Sequence, residues 1–198
     1  FQILIEIFKK NENFEIVFNK KISKHKFTQQ EISFINNVCL NTMRRNIYCK
    51  IILNKFAKEK IKINEFILLA SAIVQIVYLN IKPYAVVNET VNVSKKIKVF
   101  PGFVNSILKN ILKNLENVKK TKIKLNDFPK WFIDEINKNK NIFPSSFIDT
   151  LHKQPSLHLV FKKEKNLNDF NELCTKSSLK SAFLDVKKKV NELKNFNK

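Results

Sequence analysis

PYAVVNETVNVSKKIKVFPGFVNSILKNILK, residues 83–113, decides how this chain is read. Pro83 and Pro101 each stand at the head of a stretch whose apolar residues recur every three or four positions. Proline suits the first position of a helix, because its missing N–H would have no partner there and its fixed φ is already helical. Ala85, Val86, Glu89 and Val93 fall at helical spacing and predict one helix. Phe103, Ile107, Ile111 and Leu115 predict a second on one face of PGFVNSILKNILKNLENVKK, with Lys109, Lys113 and Lys120 on its other faces.

Working back from this pair, NEFILLASAIVQIVYL is apolar nearly all round, which predicts a central helix over Glu65 to Leu79 with Asn64 as its cap. Upstream, Thr28 followed by Glu31 has the form of a capping box. The apolar positions Ile32, Ile35, Val38, Cys39, Met43, Ile47, Ile51 and Phe56 then predict one long helix over most of residues 29 to 57. Two short helices are expected before it, parted by the polar run Lys-Asn-Glu-Asn at 10 to 13. The prediction up to residue 125 is therefore an all-α bundle.

Downstream, the polar and basic stretch from Lys119 to Asp127 reads as a hinge. PKWFIDEINKN and PSSFIDTLHKQ predict two short helices within a linker over 126–154. SLHLVFKK alternates and predicts a strand at 157 to 161, opening an incomplete α+β segment over 155–198. NLNDFNELCTK returns to helical spacing, and SLKSAFLDVKKKVNELKNFNK predicts a basic amphipathic helix.

The 198 residues, 44% of them hydrophobic, suffice for one core and a small second unit. Against 17 acidic residues stand 37 Lys and Arg, a net charge of +20 that calls for a polyanionic partner. Nucleic acid is the first candidate and an anionic membrane surface the second. Only Arg44 and Arg45 are arginines, so phosphate contacts would be lysine point charges and few could be bidentate. The same composition, rich in Lys, Asn, Ile and Phe, is what an AT-rich genome imposes, so charge alone assigns no ligand.

Gly102 is the only glycine, which excludes phosphate-cradling and dinucleotide-binding loops. Cys39, Cys49 and Cys174 form no C-x-x-C pair, and His25, His152 and His158 are scattered, so neither disulfides nor a metal site is indicated. The apolar run from Phe66 to Leu79 is shorter than the ~20 residues a membrane span needs. With no basic leader ahead of an apolar region and no initial Met, the chain reads as a cytoplasmic protein and as a fragment.

The segments at 83–96 and 98–111 resemble the paired motifs of the NusB superfamily, "Pro-x-Ala-x-x-Asn-Glu-x-Val" and "Gly-Phe-Val-Asn-x-x-Leu-Arg". Pro83, Ala85, Asn88, Glu89, Val91, Gly102, Phe103, Val104, Asn105 and Leu108 match, while Lys109 replaces the arginine. NVCLNTMRR resembles an upstream family segment, with Arg44 or Arg45 at its arginine and Asn41 where glycine is usual. PKWF and PSLHLVFKK are similar to the "Pro-x-Trp" and the strand that follow this domain in the RsmB family of 16S rRNA cytosine-5 methyltransferases, although Val160 and Lys162 depart from the strand's arginine and asparagine. The resemblance reaches about residue 170, and past Lys176 nothing matches.

It implies a NusB-like RNA-docking domain whose own methyltransferase domain is missing from this chain, with ribosomal RNA as partner and S-adenosylmethionine as the parent enzyme's methyl donor. The family's catalytic cysteines follow proline, and none here does. The chain alone is thus expected to carry neither catalysis nor a cofactor. Arg44, Arg45, Lys95, Lys96, Lys98, Lys109 and Lys113 flank the motifs and form the candidate RNA surface. Pro83, Ala85, Asn88, Glu89, Gly102, Phe103 and Asn105 are read as structural, with Asn88 and Glu89 hydrogen-bonding between helices. Trp131 is read as a packing anchor and the 18 phenylalanines as core filler. Rival readings are a stand-alone NusB-type antitermination or ribosome-assembly factor, which the strand at 157–161 argues against, a basic helical protein on anionic membranes, and a decayed or frameshifted gene.

Overall fold

The computed structural model of the protein describes residues 1–143, 146–151, 153, 155, 158–160, 174–176 and 181–184. They divide into two compact units, Phe1–His152 and Lys153–Lys198. The first unit takes in the stretch read as a hinge and all but the last two residues of the stretch read as a linker.

That unit is the expected all-α bundle. α1 (Gln2–Lys10) and α2 (Phe14–Ile22) part at the polar run, where Asn11 closes α1 with a left-handed φ of 54° and Asn13 opens α2 by accepting from the N–H groups of Glu15 and Ile16. α3 (Gln29–Arg44) begins at the predicted capping box. The Glu31 N–H donates to Thr28 Oγ1 at 3.3 Å, and the Thr28 N–H donates to Glu31 Oε2 at 2.8 Å.

The single long helix over 29 to 57 is not found. It breaks at Arg45 (φ −107°, ψ 22°), and α4 (Asn46–Phe56) follows. Length gives the reason: both halves pack on α5 (Ile63–Val77), which at 1.5 Å per residue is about 22 Å long, whereas an unbroken helix of some 28 residues would reach about 42 Å. Breaking the rod lets α3 bury Cys39 and Thr42 while α4 buries Tyr48, Cys49, Ile52 and Leu53.

α5 is central as predicted, in contact with α1, α3, α4, α6 and α7. Its Ile67, Leu69, Ala70, Ala72, Ile73 and Val74 are wholly buried, and each large aliphatic side chain so placed contributes about 1.5–3 kcal/mol. The predicted cap is corrected. Asn64 lies inside the first turn, and Glu65 closes the helix start by accepting the Lys62 N–H at 2.7 Å.

α6 (Pro83–Lys96) and α7 (Pro101–Lys113) start at their prolines as expected. α7 stops at Asn114, after which α8 (Leu115–Lys119) follows and buries Val118. A 3-10 turn (Leu125–Asp127), α9 (Lys130–Lys138) and the short α10 (Phe147–Thr150) complete the unit. Pro144, expected to open the last helix, lies outside the described residues.

In the second unit the predicted strand is present as β1 (His158–Val160). It pairs antiparallel with β3 (Ser181–Leu184), which also pairs antiparallel with β2 (Cys174–Lys176). Residues 174–176 and 181–184 were expected to be helical. Three- and four-residue pieces cannot show whether their period is 2 or 3.6, and the two ladders that β3 completes settle these segments as strand. The remainder of both stretches lies outside the described residues.

Candidate nucleic-acid interface

α6 buries Val86, Val87, Thr90 and Ser94, residues spaced as one face of a helix. The same geometry turns Asn88, Glu89, Asn92, Lys95 and Lys96 outward, and all five are exposed. α7 buries Val104, Ile107, Leu108 and Ile111, so Gly102, Lys109 and Lys113 lie on its exposed side with Asn105 half-buried between them.

Between the two outward faces runs an open groove of about 580 Å³, lined by Asn88, Glu89, Asn92 and Lys95 from α6 and by Pro101, Gly102 and Asn105 from α7. Its lining, which also includes Val91, mixes three asparagine amides, a carboxylate and an ammonium with the apolar surfaces of Val91 and Pro101. Among the described residues, no ion pair engages Glu89, Lys95, Lys96, Lys98, Lys109 or Lys113.

The turn joining the helices is fixed by its interior. Val99 is buried, and its N–H donates to Ser94 O at 2.9 Å. The residues on either side therefore project outward. Lys98 is exposed, with a left-handed φ of 58°, a conformation that costs an L-residue with a Cβ about 1–2 kcal/mol. Phe100 is 73% exposed. Its ring lies against the first turn of α7, where a Cβ on Gly102 would stand 2.9 Å from Cε1 and 3.0 Å from Cζ. Glycine lets the exposed ring lie close against the helix, where a Cβ would push it aside, and φ at this position is not positive.

The structure gathers Lys95, Lys96 and Lys98 at this turn, with Lys109 and Lys113 further along α7. Arg44 and Arg45 belong to a different corner, where α3, α4 and the end of α5 meet, and both are half-buried. Arg45 donates to Asn41 Oδ1 and holds its guanidinium carbon 4.0 Å from the centre of the Tyr78 ring. Tyr78 stands edge-on to Tyr48 at 5.4 Å, and the Tyr48 hydroxyl donates to Val118 O at 2.6 Å. Burial pushes both phenols above their ordinary range and the enclosed Cys49 thiol to about 12. At Arg44, burial first and the adjacent Arg45 second pull the guanidinium below its usual value.

Two readings of the sequence change here. Asn88 and Glu89 are exposed and make no hydrogen bond between helices among the described residues. Phe100 and Trp131, taken as core filler and packing anchor, are 73% and 71% exposed. A signal for Phe100 was present: it precedes a proline that opens a helix, so it belongs to neither helical face.

Fold and face together define an all-α bundle that presents a polar groove bordered by unpaired lysines. The chain belongs to the NusB family, whose model matches residues 1–113, from the start of the bundle to the last residue of α7. Domains of this family bind RNA. No curated protein shows significant similarity to the chain.

S-adenosylmethionine, implied for an RsmB-type parent, finds no fitting cradle among the described residues. Gly102 is the second residue of α7, and the described strands pair only antiparallel, so no glycine-rich strand–turn–helix cradle is formed among the described residues. Among those residues no helix is long and apolar enough to cross a membrane.

Proposed function

We propose that the chain binds RNA through the lysine-bordered face of α6 and α7, and that it is the RNA-docking region of a ribosomal RNA cytosine-5 methyltransferase. The observation that carries RNA binding is the set of exposed lysines without ion pairs around the groove, in a protein of net charge +20 that belongs to the NusB family. Lysines whose charges are not met within the protein are free to displace counterions from a phosphate backbone. The methyltransferase parent is supported by the resemblance of PKWF and PSLHLVFKK and by the strand His158–Val160, for which a stand-alone factor ending with the bundle has no use.

The affinity of the whole chain for a ribosomal RNA fragment tests the first part. Log K should fall linearly with log salt, by about 0.7–0.9 per phosphate contact. Binding indifferent to salt would overturn the lysine face. The coding sequence downstream tests the second part: a glycine-rich strand–turn–helix followed by a Pro-Cys pair is expected, and an authentic stop with neither would remove the enzyme.

A further inference from the structure

Phe100 stands apart from the aromatic residues that fill the core. It is held in the extended backbone that precedes a helix, with φ −63° and ψ 114°. The residue is 73% exposed, and its ring packs against Gly102, the chain's only glycine, where the missing Cβ leaves it room. Gly102 also lines the α6–α7 groove, so the ring adjoins the groove's rim. Lys98 lies two residues before it and Lys95 on the groove wall. A positioned aromatic face beside cations and amide groups has the elements that single-stranded nucleic acid requires: a stacking surface for a base and charge for its phosphates.

We propose that Phe100 is a stacking platform for one unpaired RNA base, whose edge turns into the α6–α7 groove toward Glu89 and the neighbouring asparagines. The inference rests on the RNA-binding reading above and names what that site takes. A base within a duplex has both faces covered by its neighbours, so only an unpaired base can lie on the ring. Glu89 is exposed and makes no ion pair among the described residues. Its carboxylate accepts hydrogen bonds and gives none, so it suits the exocyclic amine of cytosine and offers nothing to the O4 carbonyl of uracil. A protein partner could also bury an exposed phenylalanine, but the cations beside the ring favour a polyanion.

Fluorescence anisotropy of the full chain with labelled ten-nucleotide oligo-C and oligo-U and with a ten-base-pair RNA duplex, at one low salt concentration, tests this. Phe100→Ala should weaken oligo-C binding by about 5- to 150-fold, the range for removing one base–aromatic stack. It should change duplex binding less than about twofold, and Phe100→Trp should restore oligo-C binding, since indole stacks at least as well. Glu89→Ala should narrow the preference for C over U, a ratio that the change in net charge does not move. Unchanged oligo-C affinity in Phe100→Ala, or an equal loss on single strand and duplex, overturns the platform while leaving the lysine face standing. A C-to-U ratio indifferent to Glu89→Ala overturns the base-edge contact. Failure of the unsubstituted chain to bind any of the three RNAs overturns the RNA-binding reading itself.

Discussion

The molecule has two cationic corners, and they differ in where their charges find partners. At the α3–α4 corner Arg45 is turned inward, bonded to Asn41 and laid over Tyr78. At the α6–α7 corner Lys95, Lys96 and Lys98 are exposed and outside any ion pair among the described residues. A cation held against a ring and an amide inside the fold, even with its Nε left without a partner, has little left for a ligand, and its removal is felt as lower stability. A cation left in water contributes little to stability and is available to a phosphate.

The widest separation between the corners should appear in RNA binding. Reversing Lys95, Lys96 and Lys98 together to Glu should lower the salt slope by about 2–3, since each phosphate left without its lysine takes away about 0.7–0.9. Far-ultraviolet circular dichroism should show the helices intact. Arg45→Ala should leave that slope unchanged. If the triple variant binds as before, the interface lies elsewhere.

Arg45→Ala should instead destabilise the bundle by about 2–3 kcal/mol, because it removes both a cation–π interaction and a hydrogen bond from a charged donor. Denaturant unfolding measures it. Arg45→Lys should recover only part of the stability, because an ammonium cannot spread a flat guanidinium over Tyr78 while donating to Asn41. A change below about 0.5 kcal/mol, within the range of an exposed surface charge, would show that this corner is as dispensable to the fold as the exposed lysines.

Tyr48→Phe extends the test along the same inward chain. It removes the hydroxyl that donates to Val118 O at 2.6 Å, while that carbonyl keeps the Thr121 N–H at 3.0 Å. The expected cost is therefore that of one net hydrogen bond, about 0.5–1.5 kcal/mol, and RNA affinity in native buffer should not move. Weaker affinity with unchanged stability would mean that the aromatic corner communicates with the binding face.

What could be read in the sequence followed how local its cause is. Pro83, Pro101 and the Thr28–Glu31 box act within one helical turn, so those helix starts were legible. The groove's lysines were legible as charges beside a family motif. The break at Arg45 was not, because the apolar period runs on through α4 and the break answers to the length of α5, a partner distant in the chain. Nor was the inward turn of Arg45, which depends on Tyr78 arriving from the far end of α5. The strands Cys174–Lys176 and Ser181–Leu184 are only three and four residues long and take their state from pairing across the sheet. Phe100 was hidden among 18 phenylalanines by its type, while its place before Pro101 set it apart.

The smallest expected effect is also the one that sets stability against binding at a single residue. Lys98 holds a left-handed backbone with φ 58° although it carries a Cβ, and glycine would adopt that conformation without the steric penalty. Glycine also gains freedom in the unfolded chain, which takes back part of the benefit, so Lys98→Gly should raise unfolding stability by no more than about 1 kcal/mol. RNA affinity should fall at the same time, with the salt slope lowered by about 0.7–0.9, one phosphate's worth. Arg45 offers no such opposition, since its replacement should lower stability and leave the slope alone. If Lys98→Gly stabilises the bundle and keeps full affinity, the strained lysine is serving neither fold nor ligand. The charge that defines the α6–α7 corner then resides in Lys95 and Lys96 alone.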